Sequence, residues 1–183
     1  MIEVSDFARR YSSLTVRVPD FNTKARVCLV IGRNGSGKTT LLKALAGLTP
    51  HEGVANVRGS TLYVDEHPAF PDTMTPRAYL RLLGKMGRVH TRRQRWLIEA
   101  FCMGDNLDKP FSALSKGMRQ KTHLIASLAE ARDAYLLDEP TSGLDDAAIG
   151  MLVKVIAERK ETFIISTHQT SAFAAIKEAV IPL

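Results

Sequence analysis

Cysteine is scarce in this sequence: two residues in 183, Cys28 and Cys102. Neither stands in a C-x-x-C or Cys/His spacing, which sets aside a cysteine-held metal or a disulfide framework, and both read as reduced core residues. Long apolar runs are missing too. No stretch approaches the ~20 residues needed to cross a bilayer. Residues 1–6 carry acids and lack a signal peptide's apolar core, so a cytoplasmic chain is expected, with any membrane role supplied by a partner. There is no internal repeat and no low-complexity segment. What remains is an ordinary globular composition, 45% apolar and 24% charged. The length suits one domain, or one domain with an inserted subdomain. The net charge is +6 and the pI is near 9.5. That excess suits nucleic acid, an anionic membrane surface or an acidic partner, and does not choose among them.

The strongest signal is Gly32-Arg33-Asn34-Gly35-Ser36-Gly37-Lys38-Thr39. It follows the apolar run 27–31, which reads as a buried strand, and precedes 40–46, beginning at Thr40, which reads as a helix. Strand, glycine-rich turn and helix together make a phosphate-binding loop. The glycines can take left-handed angles, so successive N–H groups can converge on phosphate oxygens, and the helix adds the positive end of its dipole. Lys38 would reach the β- and γ-phosphates, and the Thr39 hydroxyl would ligate Mg²⁺.

In chain order, 2–11 and 14–18 read as antiparallel strands joined near Ser12 and Ser13. Tyr11 closes the first, either as a half-buried strand aromatic or as a stacking surface for an adenine. Residues 19–24 read as a turn. Residues 54–57 and 61–64 read as short strands turned at Gly59, and 65–71 as a loop broken by two prolines. Helical patterns follow over 77–86, 91–101 and 117–129. The basic cluster Arg88, His90, Arg92, Arg93 and Arg95 reads as a solvated face or as a contact for an acidic partner or lipid headgroups. Strand patterns return at 134–137 and 162–165, separated by an amphipathic helix over 145–159. A short helix over 171–177 and a strand over 180–183 end the chain. Alternating strands and helices predict an α/β fold with a mostly parallel sheet, an N-terminal antiparallel β part and an inserted helical subdomain. The core would cover about 1–75 and 131–183, and the insertion about 76–130.

The second signal is Asp138-Glu139, which ends the apolar strand 134–137. A carboxylate at such a strand end, beside a phosphate loop, can hold Mg²⁺, usually through a water. Asp138 fits that task. Glu139 can aim at the water that attacks the γ-phosphate.

In this order the motifs resemble the ATP-binding subunit of an ABC transporter. Leu114-Ser115-Lys116-Gly117-Met118 stands where that family carries its Leu-Ser-Gly-Gly-Gln signature. Asp138-Glu139-Pro140-Thr141 is its second nucleotide motif, Ser142-Gly143-Leu144-Asp145 its D-loop, and His168 its switch histidine. The departures are Lys116 for glycine, Met118 for glutamine, Glu66 at the Q-loop glutamine position and Asp146 where proline is common. Ser-Lys-Gly-Met signatures resemble those of the drug- and antibiotic-export subclass. The chain stops shortly after His168, so the C-terminal regulatory extensions of some members are expected to be absent.

The resemblance implies a P-loop NTPase core and an Mg²⁺-dependent ATPase that powers transport, export favoured, through a separate transmembrane permease. It also implies a head-to-tail pair of ATP-binding subunits, a homodimer favoured, with ATP between them and no nucleic acid. Ser115 and the Gly117 N–H would face the partner's γ-phosphate, and Lys116 would add charge there or point to solvent. Asp145 would link the two sites, His168 would contact the γ-phosphate, Glu66 would approach Mg²⁺, and Tyr11 would stack on adenine. The alternative is a soluble ABC-type ATPase acting on ribosomes or nucleic acid through the basic cluster. Such proteins commonly carry two cassettes or a coiled-coil insertion, and this sequence shows one cassette and no heptad run.

Overall fold

Five consecutive apolar residues, as at 27–31, need a strand covered on both faces. The computed structural model, which describes residues 1–12, 14–87 and 89–183, gives them one. The chain begins with β1 (Ile2–Arg10), β2 (Thr15–Arg17), β3 (Phe21–Thr23) and β4 (Val27–Ile31). It continues with α1 (Lys38–Leu45), β5 (Glu52–Val57), β6 (Thr61–Val64), α2 (Pro76–Lys85), α3 (Thr91–Ala100) and α4 (Lys116–Ala129). It closes with β7 (Ala134–Asp138), α5 (Asp146–Ala157), β8 (Thr162–Ser166) and β9 (Ala179–Pro182).

Two compact units result. The first comprises Met1–Asp65, Arg132–Pro140 and Ile156–Leu183. Its five-stranded parallel sheet has the order β6-β7-β8-β4-β9. The three inner strands are buried nearly end to end. Its second sheet is antiparallel. There β1 pairs with β5 along one edge and with β2 and β3 along the other. Leu41, Leu42, Ala44 and Leu45 of α1 join Val30, Leu136 and Ile164 in the core of this unit.

The second unit comprises Glu66–Ala131 and Thr141–Val155. Phe70 stacks on Phe111 at 4.0 Å between ring centroids, with the edge of Tyr79 against them. Leu80, Leu97, Phe101, Leu124 and Leu128 are buried in the same unit. Thr75 caps α2 by accepting from the Ala78 N–H, ahead of Pro76 at the first helical position, where its missing N–H costs nothing.

The α/β architecture expected from the sequence is present, as are the two short strands turned at Gly59, and three local expectations are corrected. Residues 19–24 contain β3, held by pairing with Ile2, Glu3 and Val4 rather than by any local strand pattern. The strands at 54–57 and 61–64 enter different sheets, β5 the antiparallel one and β6 the parallel one. Residues 171–177 form a run of turns with mostly three-residue backbone bonds, pinned by buried Phe173. Cys28 is a buried free thiol as expected, but Cys102 is exposed, at a φ of 52° just after α3. The Ser13 turn position and Arg88 of the basic cluster lie outside the described residues.

Candidate active site

The loop between β4 and α1 carries the phosphate-binding pattern. Gly37 is the N-cap of α1, with φ 105° and no side-chain hydrogen bond across the helix start. A Cβ there would run into Val16, and the angle is one that side chains avoid, so only glycine fits. Lys38 is buried, 7% exposed. Its ammonium donates to the Gly32 carbonyl at 3.0 Å and to the Arg33 carbonyl at 3.3 Å. The charge is thus kept inside the loop by carbonyl partners.

At the carboxyl ends of the parallel strands, β7 and β8 bring the acids into place. Asp138 pairs in register with Ser166. Its Oδ2 accepts from the Thr39 hydroxyl at 2.7 Å and from the Tyr63 hydroxyl at 2.9 Å. Its Oδ1 accepts from the Ser166 hydroxyl. Ser166 in turn accepts from the Glu139 N–H, at 3.0 Å through Oγ and 3.1 Å through its carbonyl.

Glu139 has φ 42°, a left-handed angle that costs a side-chain-bearing residue energy and that clusters at functional sites. The turn aims its carboxylate at His168. The His168 N–H donates to Oε2 at 3.2 Å, and the His168 Nε2 lies 3.3 Å from Oε1. The same Nε2 lies 3.4 Å from the Lys38 ammonium. Lysine only donates, so that contact needs a bare Nε2, while donation to Glu139 needs a protonated one. The ring therefore satisfies one neighbour at a time.

Tyr11 is half exposed, and its hydroxyl lies 3.0 Å from Thr40 Oγ1 at the start of α1. The Arg9 guanidinium covers one side of its ring at 5.2 Å. Lys38, Thr39, Asp138, Glu139 and His168, all predicted from the sequence, therefore meet within the first unit. Tyr63 and Ser166 were missed. Ser166 left a weak trace, as a polar residue ending an apolar strand. Tyr63 left none, because its hydroxyl reaches Asp138 only through the β6–β7 pairing.

The second unit holds Ser115, Gly117, Asp145 and Glu66. Ser115 caps α4, accepting from the Met118 N–H at 3.2 Å, and this leaves its hydroxyl proton to donate elsewhere. The first turn of α4 contains no acid. Lys116 is exposed, and its ammonium donates to Ser142 Oγ at 2.8 Å. Lys121, also unforeseen, donates to Asp145 Oδ2 at 2.9 Å. This bond, with a second from the Ala148 N–H, holds the Asp145 carboxyl below the usual carboxylate range. Glu66 lies 3.9 Å from His67 Nε2.

The donors present fit ATP and Mg²⁺. Ser36 Oγ is buried with no hydrogen-bond partner among the described residues, inside the loop that would cradle phosphate. Thr39 and Asp138 supply hydroxyl and carboxylate oxygen, the hard donors Mg²⁺ takes while keeping waters and phosphate oxygens as its other ligands. Among the described residues no three His, Cys, Asp or Glu side chains gather into a metal-binding group, so a protein-only metal cage is not what the site offers.

An α/β fold with a phosphate loop leaving β4 and an acid pair ending β7 defines a P-loop NTPase. Within that class the chain belongs to the ABC transporter family, whose model matches residues 20–142. It is 31% identical over 210 residues to the zinc transport system ATP-binding protein TroB of Treponema pallidum, covering 100% of this chain and 77% of that one. It is 28% identical to the bacitracin transport ATP-binding protein BcrA of Enterococcus faecalis, covering 98% of this chain and 65% of that one. A solved ATP-binding subunit of an ABC transporter superposes with a TM-score of 0.87 at 25% identity, covering 100% of this chain and 85% of the other. The chain is an ABC ATP-binding domain and an ATPase. These relatives differ in cargo, so family membership does not select the drug-export subclass.

Proposed function

We propose that this chain is the ATP-hydrolysing subunit of an ABC exporter, a single ABC ATPase domain working with a separate transmembrane permease on the inner face of the cell membrane. Its core would be about 1–75 and 131–183, with a helical subdomain over about 76–130. The observation that carries the ATPase chemistry is the meeting of Lys38, Glu139 and His168 beside the Thr39–Asp138 pair.

Bound Mg²⁺ would neutralise phosphate charge as bonds rearrange. The residues do the rest. Lys38 and the loop N–H groups hold the phosphates, with Gly32, Arg33, Asn34, Gly35, Ser36, Gly37 and Thr40 shaping the cradle. Thr39 and Asp138 would hold the metal, with Glu66 as a further acid that would act toward it. Glu139 orients or deprotonates the attacking water, and His168 steadies it at the γ-phosphate end. Tyr11, at the entry to α1, stacks on adenine. Ser115 and the Gly117 N–H, at the acid-free start of α4, face the γ-phosphate held by a second copy, and Asp145 links the two sites. These cross-subunit contacts would close the pair around ATP, and their loss on hydrolysis would favour opening.

Export is favoured by the Ser115-Lys116-Gly117-Met118 signature and by a cytochrome c biogenesis ATP-binding export protein, 31% identical, among the relatives. A zinc import ATP-binding protein, 29% identical, among the relatives favours import as the second reading. Among the described residues no helix is long and apolar enough to cross a membrane. The test is Mg-dependent phosphate release from ATP by purified protein and its Glu139→Gln variant. Release by the first and near-silence of the second is the expected result. No ATP binding by either would end this reading.

A further inference from the structure

Lys116 occupies the place of the first signature glycine, and its contacts lie on the 142–145 loop. Its ammonium donates to Ser142 Oγ at 2.8 Å. Its stem lies along Gly143, where an added Cβ would come within 3.1 Å of Lys116 Cγ. Gly143 has φ 77°, so it is glycine on backbone grounds as well. One residue along, a side chain at Gly117 would collide with the Gly143 carbonyl. About one helical turn further, Lys121 reaches Asp145 Oδ2 at 2.9 Å. The start of α4 thus grips the loop at three successive points, all within the second unit. A cation in the first turn of a helix faces the positive end of its dipole. A partner off the helix, such as the Ser142 hydroxyl, offsets that cost.

We propose that Lys116 is a positioning residue that fastens Ser142 and Gly143 to the signature end of α4, so that signature and D-loop move as one piece. The contact stands on the geometry alone; its consequence for turnover rests on the two-subunit ATPase reading. In that setting, a change at Ser115 and Gly117 reaches Asp145 without slack. The lysine that replaces glycine serves loop alignment and does not bind phosphate.

Hydrogen exchange in the nucleotide-free protein tests the contact. The Leu144 N–H donates to the Thr141 carbonyl at 3.1 Å and reports on the loop. In Lys116→Met its exchange should rise about fivefold, a local opening, while amides of β7 and β8 stay unchanged. Lys116→Arg should restore protection, because a guanidinium also donates to Ser142, and Ser142→Ala should match Lys116→Met. Unchanged Leu144 exchange in Lys116→Met overturns the proposal. For turnover, kcat of Lys116→Met should fall about fivefold with KM for ATP within about twofold, and Lys116→Met/Ser142→Ala should be no worse. A raised KM with kcat intact, or an additive double variant, would assign Lys116 to the phosphate and overturn it equally. A wild-type protein that releases no phosphate defeats the ATPase reading, and the exchange result still decides Lys116.

Discussion

The Thr39 hydroxyl donates to Asp138 Oδ2 at 2.7 Å. One residue lies in the first turn of α1, after the phosphate loop, and the other ends β7, 99 positions later in the chain. The two oxygens that would hold Mg²⁺ are therefore already adjacent without it. This relationship gives the site its order, since Ser166 and Tyr63 fix the same carboxylate from its other sides.

Ser166 should matter for both stability and turnover. Ser166→Ala removes a partner from Asp138 and from the Glu139 N–H in a fully buried place. Loss of such a bond costs about 1–3 kcal/mol. Thermal unfolding should show a lowered midpoint, and ATPase assays a raised Mg²⁺ requirement. An unchanged Mg²⁺ titration would detach Ser166 from the metal side of the site.

Lys38 and Glu139 should separate binding from chemistry. Lys38→Ala should weaken binding of a fluorescent ATP analogue by about tenfold or more, because it removes the cation buried in the loop. Glu139→Gln should bind nearly as wild type while hydrolysis falls about 10²–10⁴-fold, the range for a lost general base. Equal turnover in Glu139→Gln would take Glu139 out of the chemistry.

How far the sequence reached depended on whether a signal was local. The loop 32–39 and the Asp138-Glu139 pair announce themselves by spacing next to apolar strands, and the structure brings them together. β3 was invisible because Phe21-Asn22-Thr23 has no strand pattern and exists through pairing with β1. Residues 171–177 look helical by periodicity, yet burial of Phe173 pins a run of turns. Tyr63 and Lys121 act through partners 75 and 24 positions away, and no spacing rule reaches that far. The contact made by Lys116 was hidden for the same reason, since Ser142 lies 26 positions on.

The two thiols should react differently. Burial, the nearby Glu178 charge adding to it, pushes the Cys28 thiol up to about 11, so it stays protonated near neutrality. Cys102 is exposed. A chromogenic disulfide reagent at pH 8 should titrate one thiol per native chain and two in denaturant. Two fast thiols in the native protein would contradict the packing of β4.

Asp145 carries a pH signature. Its carboxyl lies below the usual range because Lys121 donates to it, with help from the Ala148 N–H. A depressed folded value means the stabilisation is present above the unfolded value, ~3.9, and is lost as pH falls through the folded one. The carboxyl titration followed by NMR should have its midpoint below the ordinary value, and Lys121→Met should raise it. No shift between the two proteins would remove Lys121 as the cause.

The most direct test of the shared-site account is the mass of Glu139→Gln in solution, by light scattering with and without Mg-ATP. The account predicts a shift from one chain of 20.2 kDa to a pair when Mg-ATP is added, and its reversal when the nucleotide is removed. A protein that binds ATP tightly and stays at the single-chain mass would contradict it.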